Sequence, residues 1–183
     1  MNSASKWLLA SRPKTLPAAA APVIVGTAVA FWQQSFVLVP AMVTLLTALL
    51  LQIGANLAND VFDYYRGVDV PERLGPIRVT AAGLLTPRQV VIAMTGVFGA
   101  ACVMGIYLFT VAGWPILVIG LSAIIAALAY TGGPFPYGYY GLGDLLVFLF
   151  FGPVAVIGTF YIQTRTATVE GLWSSIPIGL ITV

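Results

Sequence analysis

The chain has 183 residues, of which 60% are hydrophobic and only 8% are charged, and its mean hydropathy is +0.98. Soluble domains are about 25% charged, and a chain of this length could not bury so much apolar surface in water, so a water-soluble globular protein is excluded. Histidine is absent and Cys102 is the single cysteine, which excludes histidine-based catalysis, histidine metal sites and an internal disulfide. The composition predicts an integral membrane protein, an all-α, multi-span transmembrane helical bundle forming one domain over residues 1–183.

The first predicted element is a short interfacial helix over Lys6–Ser11, within a polar and amphipathic N-terminal segment. A membrane-spanning helix needs about 20 apolar residues. Five segments approximately meet this requirement, and in chain order they are Leu16–Trp32, Val37–Asn59, Gln89–Thr110, Trp114–Tyr130 and Leu142–Thr164. A sixth apolar run begins near Leu172 and stops at Val183, too soon to cross a bilayer. We therefore expect the chain to be the N-terminal part of a longer protein, incomplete at its C-terminus.

The basic residues predict the orientation, because Lys and Arg collect on the cytoplasmic side of a membrane. With a cytoplasmic N-terminus, Arg165 falls outside and the other seven of the eight basic residues fall inside, namely Lys6, Arg12, Lys14, Arg66, Arg73, Arg78 and Arg88. The long connections 60–88 and 131–141 also fall inside. Functional sites are usually built on such connections, so we expect the site on the cytoplasmic face of a bacterial inner membrane.

Most of the charge lies in one stretch, since residues 60–88 contain eight of the fourteen acidic and basic residues while residues 16–59 and 89–143 contain none. A polar face precedes and enters this stretch with spacings of 4, 3, 1 and 3 residues, and its members are Gln52, Asn56, Asn59, Asp60 and Asp63. At 100° per residue these positions fall within about 100° of arc on a helix. Lipid cannot accept such a face, so it is predicted to point into the bundle.

The clustered acids predict a cation site. Four of the six acidic residues lie between Asp60 and Glu72, and such neighbours repel one another unless a cation or basic groups intervene. Carboxylate and amide oxygens suit a hard cation, above all Mg²⁺, which commonly keeps phosphate oxygens as further ligands. Arginine also pairs well with phosphate, so the pattern favours a diphosphate substrate. On charge alone, a loop held by ordinary salt bridges remains an alternative.

Three motifs resemble one family. The run NLANDVFDYYRGVD, followed by PERLGPIRVTAAGLLTP, resembles the first aspartate-rich motif of the UbiA-type membrane prenyltransferases, with its N-D-x-x-D pattern and a further Asp on Asn59, Asp60, Asp63 and Asp69. SRPKTLPAA, residues 11–19, resembles the N-terminal signature of that family. YTGGPFPYGYYGLGD, residues 130–144, resembles the loop after its fourth helix. The gap between the last two aspartates is most similar to that of members acting on 1,4-dihydroxy-2-naphthoate in menaquinone synthesis.

The resemblance implies a bundle of typically nine spans, around a central cavity that opens to lipid, with Mg²⁺ as cofactor. It implies transfer of a polyprenyl group from its diphosphate to an aromatic acceptor. With 1,4-dihydroxy-2-naphthoate as acceptor, diphosphate and CO₂ are lost and demethylmenaquinone is formed. The implied partners are polyprenyl diphosphate, the aromatic acceptor and membrane lipid. No nucleic-acid partner is expected, and the oligomeric state, including a homo-oligomer, stays open.

Carried over to this chain, the resemblance assigns the aspartate-rich motif to metal and diphosphate. Asn59, Asp63 and Asp69 are the first candidates for binding Mg²⁺ and diphosphate, with Asp60 and Asn56 in support. The candidate metal ligands are thus Asn59, Asp60, Asp63 and Asp69, and the first three of these are also the candidate catalytic residues.

Other residues are candidates for substrate binding. Arg78 is expected to contact diphosphate, while Arg12 and Lys14 are expected to contact either diphosphate or the acceptor carboxylate. Anchoring on the positive side of the membrane explains Arg12 and Lys14 equally well. Tyr130 and Tyr139 are candidates for orienting the acceptor or lining the cation site, with interfacial anchoring as their alternative.

Other functions stay open. The family has a second aspartate-rich motif that these 183 residues do not contain, so the chain by itself is expected to be inactive. Within the family, the acceptor could instead be 4-hydroxybenzoate or homogentisate, and the donor could carry a phytyl chain. Outside it, the alternatives are an ion-coupled membrane transporter and a non-catalytic membrane subunit. The acids cluster at one face instead of stepping through the bilayer, which argues against the transporter.

Overall fold

The computed structural model describes residues 1–68 and 77–183, and these parts of the chain are helical and contain no β-strand. Their α-helices are, in chain order, α1 (Ser3–Ser11), α2 (Leu16–Trp32), α3 (Leu38–Arg66), α4 (Pro87–Ala112), α5 (Trp114–Ala129), α6 (Gly143–Leu149), α7 (Ala155–Thr164) and α8 (Val169–Thr182). Two 3₁₀ turns lie at Pro13–Thr15 and Tyr137–Tyr139, and a π-helical turn, Phe150–Val154, joins α6 to α7. The predicted all-α class is confirmed.

Helices occupy all five predicted spans. Within the described residues, four helical segments are long and apolar enough to cross a membrane, namely Ser3–Trp32, Leu38–Arg66, Pro87–Ala112 and Gly143–Thr164. The remaining one, α5, has 16 residues, or about 24 Å, and is shorter than the roughly 30 Å hydrocarbon core. In contrast, α3 has 29 residues, or about 43 Å, and continues past the end of the predicted apolar span at Asn59, through Asp60 and Asp63, to Arg66. This extension carries the acidic end of the predicted polar face.

Local signals bound the helices that flank the polar loops. The predicted helix over Lys6–Ser11 is part of α1, which ends at Ser11 and is capped by Arg12 with φ 50°, in the left-handed region. Gly67 ends α3 with φ 67°, a conformation that glycine adopts without steric cost. Thr86 begins α4 through a capping box in which its hydroxyl and the Gln89 side chain each bind the other residue's backbone N–H. The connections at this end of the bundle therefore have well-defined boundaries.

Two apolar clusters hold the two ends of α3. One joins α1, α3, α4 and the segment before α4, and its members are Ala10, Leu57, Val61, Val79, Leu85 and Val90. We call this end of the bundle the polar end, because the polar loops meet there. The cluster at the opposite end consists of Leu108, Ala112, Ile116 and Ile162, and Val43 of α3 packs against it. At that opposite end the Gln163 side chain accepts the Val37 N–H at 2.7 Å, which ties the start of α3 to α7.

Small residues permit close packing between particular helices. A Cβ atom added to Gly26 of α2 would lie 2.5 Å from the Val156 carbonyl oxygen of α7, and one added to Gly54 of α3 would lie 2.6 Å from the Phe98 ring of α4. Gly99 of α4 differs, because an added Cβ would meet nothing within 4 Å. The first two glycines therefore set the approach of neighbouring helices.

Replacing Gly26 by alanine should lower the free energy of unfolding by about 1–3 kcal/mol, because the backbone of α7 must shift to accept the methyl group. Gly99→Ala is the matched control, and alanine is favoured over glycine in a helix by about 1 kcal/mol. Thermal unfolding of both variants in detergent micelles measures the difference. Equal stability of the two variants would contradict a tight contact between α2 and α7.

Candidate active site

The predicted polar face lies on α3 at the polar end. Together with Arg66 it forms a continuous row, which we call the polar stripe, and its members are Gln52, Asn56, Asn59, Asp60, Asp63 and Arg66. Three of them are nearly inaccessible, with exposed fractions of 3% for Asn56, 1% for Asp60 and 2% for Asp63. Buried polar groups are costly unless they are hydrogen-bonded. The partners of the stripe therefore indicate what each residue does.

Two loops meet the polar stripe at Asp63. The guanidinium of Arg78 forms an ion pair with one carboxylate oxygen, and the hydroxyl of Tyr139 donates a hydrogen bond to the other. Arg78 is also buried, with an exposed fraction of 7%. Arg78 is 15 residues and Tyr139 is 76 residues from Asp63 in the sequence. The fold thus brings together three predicted site residues that are distant along the chain.

Asn59 and Arg66 bind the loop between α5 and α6, residues 130–142. The Thr131 hydroxyl donates to Asn59 Oδ1 at 2.9 Å. Arg66 Nε donates to the Thr131 carbonyl at 2.9 Å, and a second guanidinium nitrogen donates to the carbonyl of Gly133. The guanidinium carbon lies 5.9 Å from the centre of the Tyr139 ring, within the range of a cation–π interaction. This loop is therefore fixed on the last two turns of α3.

Asp60 binds backbone groups. Its Oδ2 accepts the Val79 N–H at 2.8 Å, and its Oδ1 accepts the Thr80 N–H at 3.0 Å. These N–H groups begin a helical turn in which the Ala82 N–H donates to the Arg78 carbonyl at 2.9 Å. The first N–H groups of a helical turn have no acceptor inside it. Asp60 supplies that acceptor from another helix and so caps the turn that carries Arg78.

Asn56 holds the turn between α1 and α2. Its Nδ2 donates to the Ser11 carbonyl at 3.0 Å and to Thr15 Oγ1 at 2.9 Å. One turn earlier on the stripe, Gln52 Nε2 donates to the same Thr15 oxygen at 3.3 Å. The turn carries two predicted substrate contacts, the half-buried Arg12 and the exposed Lys14. Asn56 therefore holds the turn that carries Arg12 and Lys14 against the stripe, through the residues on either side of them.

Tyrosines shape the 130–142 loop. The rings of Tyr130 and Tyr137 meet edge to face with centroids 5.3 Å apart, and the Tyr137 hydroxyl donates to the Ala126 carbonyl at 2.8 Å. Burial, with a smaller contribution from Tyr130, raises the pKa of Tyr137 to about 12. Burial, followed by the hydrogen bond to Asp63, raises the pKa of Tyr139 to about 12. Both phenols therefore keep their protons at neutral pH. Tyr139 contacts the stripe, whereas Tyr130 packs within the loop.

The oxygen donors of the stripe fit part of a site for a hard cation. Asn59 and Asp63 are four residues apart on α3, so their side chains are neighbours on the helix surface. Asp69, the third first-choice ligand, lies outside the described residues. Within residues 1–68 and 77–183, no group of three His, Cys, Asp or Glu side chains is arranged to hold a metal ion.

Arg66 and Thr131, which were not among the predicted site residues, have direct contacts with the site. Arg66 continues the spacing of the stripe, three residues after Asp63, so the helical period could have identified it. Thr131 lies 72 residues from Asn59, and although it belongs to the 130–144 motif, the spacing of that motif does not indicate a contact with α3. Its contact arises from the way the α5–α6 loop folds over the end of α3.

Comparison with known proteins identifies the family. The UbiA prenyltransferase family matches residues 19–183. The chain belongs to this family. A relative, the 1,4-dihydroxy-2-naphthoate octaprenyltransferase of Escherichia coli (strain K12), is 45% identical over 166 residues, which are 87% of this chain and 54% of that protein. The predicted resemblance is therefore confirmed.

Two other relatives extend the comparison. The 1,4-dihydroxy-2-naphthoate octaprenyltransferase of Mycobacterium tuberculosis (strain ATCC 25618 / H37Rv) is 41% identical over 179 residues, 98% of this chain and 61% of that protein. The 2-carboxy-1,4-naphthoquinone phytyltransferase of Synechocystis is 31% identical over 183 residues, 96% of this chain and 57% of that protein. The chain thus spans between 54% and 61% of the length of these three relatives.

Proposed function

We propose that the protein, within its full-length chain, is an integral-membrane prenyltransferase acting on 1,4-dihydroxy-2-naphthoate. It transfers a polyprenyl group from its diphosphate, with loss of diphosphate and CO₂, and forms demethylmenaquinone. The observation that carries the proposal is the meeting of Asp63, Arg78 and Tyr139 at the polar end of a UbiA-family bundle. The names of the Escherichia coli and Mycobacterium tuberculosis relatives support the choice of acceptor.

In this proposal Asn59, Asp63 and Asp69 hold Mg²⁺, and Arg78 contacts the diphosphate. Bound Mg²⁺ supplies positive charge that stabilises the leaving diphosphate. Arg78 adds a planar guanidinium whose geometry matches phosphate oxygens. Two partners of Asp63, Arg78 and Tyr139, are side-chain groups, which can turn toward a ligand without unfolding the backbone. This arrangement supports a carboxylate that changes partners when substrate binds.

The remaining predicted residues are proposed to face the acceptor. Arg12 and Lys14 supply positive charge for its carboxylate from the turn that Asn56 holds. Tyr139 presents an exposed aromatic ring beside Asp63, suited to shielding an allylic cation, and Tyr130 supports the loop that carries it. We propose that the polar end faces the cytoplasm, because seven of the eight basic residues belong to that end of the predicted topology.

A phytyl donor is a second candidate. The specific observation that favours it is the 31% identity to the phytyltransferase of Synechocystis. The higher identities of 45% and 41% are to relatives whose names specify an octaprenyl group, which favours a polyprenyl donor.

The test is prenyl transfer by the longest natural chain that contains these 183 residues, in membranes given polyprenyl diphosphate or phytyl diphosphate and 1,4-dihydroxy-2-naphthoate. We expect demethylmenaquinone in the presence of Mg²⁺ and no product with a chelator. The 183-residue chain in matched membranes is expected to be inactive, because its sequence lacks a second aspartate cluster. Product formation that continues in excess chelator would contradict the metal requirement. Product from 4-hydroxybenzoate but not from the naphthoate would contradict the acceptor.

A further inference from the structure

We propose that Asp60 is a positioning residue that holds the Arg78 turn against Asp63 and does not bind the metal ion. This inference rests on the proposed function, in which Arg78 contacts the diphosphate. Asp60 and Asp63, two neighbouring carboxylates of the aspartate-rich motif, differ in the kind of partner that each one binds.

Both oxygens of Asp60 are committed to the backbone. They accept the N–H groups of Val79 and Thr80 at 2.8 and 3.0 Å, and the carboxylate is 99% buried, with an exposed fraction of 1%. Val79 and Thr80 are themselves buried, with exposed fractions of 0% and 3%. Because the carboxylate is buried, a metal ion could reach it only if it moved away from this turn, and that movement would leave two buried N–H groups without an acceptor.

The capped turn also fixes the position of Arg78. The Val79 side chain belongs to the buried cluster at the polar end, so the residue after Arg78 is held by both its side chain and its N–H group. Arginine has many rotamers, and ordering a long side chain costs conformational entropy. Fixing its backbone reduces that cost and directs the guanidinium to Asp63, three residues from Asp60 on α3.

Asp63 has the opposite kind of environment. Within residues 1–68 and 77–183, its carboxylate is bound by two side chains, the Arg78 guanidinium and the Tyr139 hydroxyl, and both can pair with phosphate or solvent when the carboxylate takes another partner. The two aspartates are equally buried, with exposed fractions of 1% and 2%. The kind of partner, and not the degree of burial, therefore distinguishes Asp60, the positioning residue, from Asp63, the proposed metal ligand.

The test compares Asp60→Asn with Asp63→Asn, the same isosteric change on the same helix, in the longest natural chain containing this sequence. Binding of Mn²⁺ is followed by electron paramagnetic resonance, affinity for inorganic pyrophosphate by calorimetry, and amide hydrogen exchange of residues 77–85 by mass spectrometry. For Asp60→Asn we expect unchanged Mn²⁺ affinity, faster exchange in residues 77–85, and pyrophosphate affinity weakened by roughly 10–100-fold. For Asp63→Asn we expect weakened Mn²⁺ affinity and slow exchange.

Loss of Mn²⁺ binding in Asp60→Asn, with exchange in residues 77–85 unchanged, would overturn the proposal. If Asp60→Asn does not fold, amide hydrogen exchange of the wild-type protein tests the proposal instead. In the wild type, the amide groups of residues 77–85 should exchange slowly in chelator as well as in Mg²⁺. Slow exchange that appears only with Mg²⁺ would contradict the role of Asp60 in holding the Arg78 turn. A wild type that binds neither Mn²⁺ nor pyrophosphate would count against the proposed function, while the exchange measurement would still decide the role of Asp60.

Discussion

Replacing Asp63 by alanine should reduce Mg²⁺-dependent prenyl transfer by roughly 10²–10³-fold, the effect of removing one group that stabilises charge in a transition state. Asp63 binds both Arg78 and Tyr139, and it is also one of the proposed metal ligands. The apolar part of α3 is unchanged, so insertion into the membrane should be retained. The initial rate of transfer, normalised to inserted protein in the longest natural chain, measures the effect.

Asp144→Ala is the matched control, because it removes an exposed carboxylate from the first turn of α6 at the same end of the bundle. Its activity should stay near that of the wild type. Breaking a buried ion pair can lower the free energy of unfolding by about 3–5 kcal/mol, so a second variant is needed to separate loss of the metal ligand from loss of stability. Asp63→Asn serves this purpose because it keeps the size of the side chain. If both Asp63 variants remained as active as Asp144→Ala, the proposed metal site would be wrong.

Arg78→Lys should lower kcat/KM for the diphosphate donor by roughly 10²-fold or more, even though the charge is kept. The side chain is buried, with an exposed fraction of 7%, and lysine cannot reproduce the planar fork that binds two phosphate oxygens at once. We expect a raised KM for the diphosphate donor and an unchanged KM for the aromatic acceptor. Steady-state kinetics with each substrate varied in turn separates the two effects.

The control for Arg78 is Arg88→Lys, since Arg88 is exposed in the first turn of α4. Both variants exchange the same chemical groups at the polar end of the bundle. A similar small change in both would indicate that the charge of Arg78 matters and that its shape does not. A change in the acceptor KM alone would place Arg78 at the acceptor instead of at the diphosphate.

The helices and the polar face were predictable because both follow local rules. Apolar runs of about 20 residues predict spans whatever the tertiary contacts, and helical spacing places Asn56, Asn59 and Asp63 on one face. The predicted apolar span ends at Asn59, where hydropathy falls, but the helical polar face already placed Asp60 and Asp63 on the same helix, which continues to Arg66. Polar residues can extend a helix beyond the apolar region, and hydropathy does not detect this.

The different roles of the residues on that face were not predictable from their spacing. Asp60 and Asp63 are the same residue type three positions apart, and their roles differ because of partners elsewhere in the chain. The N–H groups that Asp60 binds lie 19 and 20 residues away, and the Tyr139 hydroxyl lies 76 residues from Asp63. Such contacts depend on how the loops fold over α3. The amino-acid pattern does not indicate which loop residues come close to the helix.

The convergence of three connections on one helix has a consequence for insertions and deletions. The N-terminal turn, the Arg78 turn and the α5–α6 loop all bind α3 between Gln52 and Arg66. One residue inserted in that interval would rotate every later side chain by about 100° and uncouple the later contacts together. The connections themselves can vary in length away from their contact points. Length variation in this part of the protein should therefore be confined to the connections, while α3 keeps a constant number of residues.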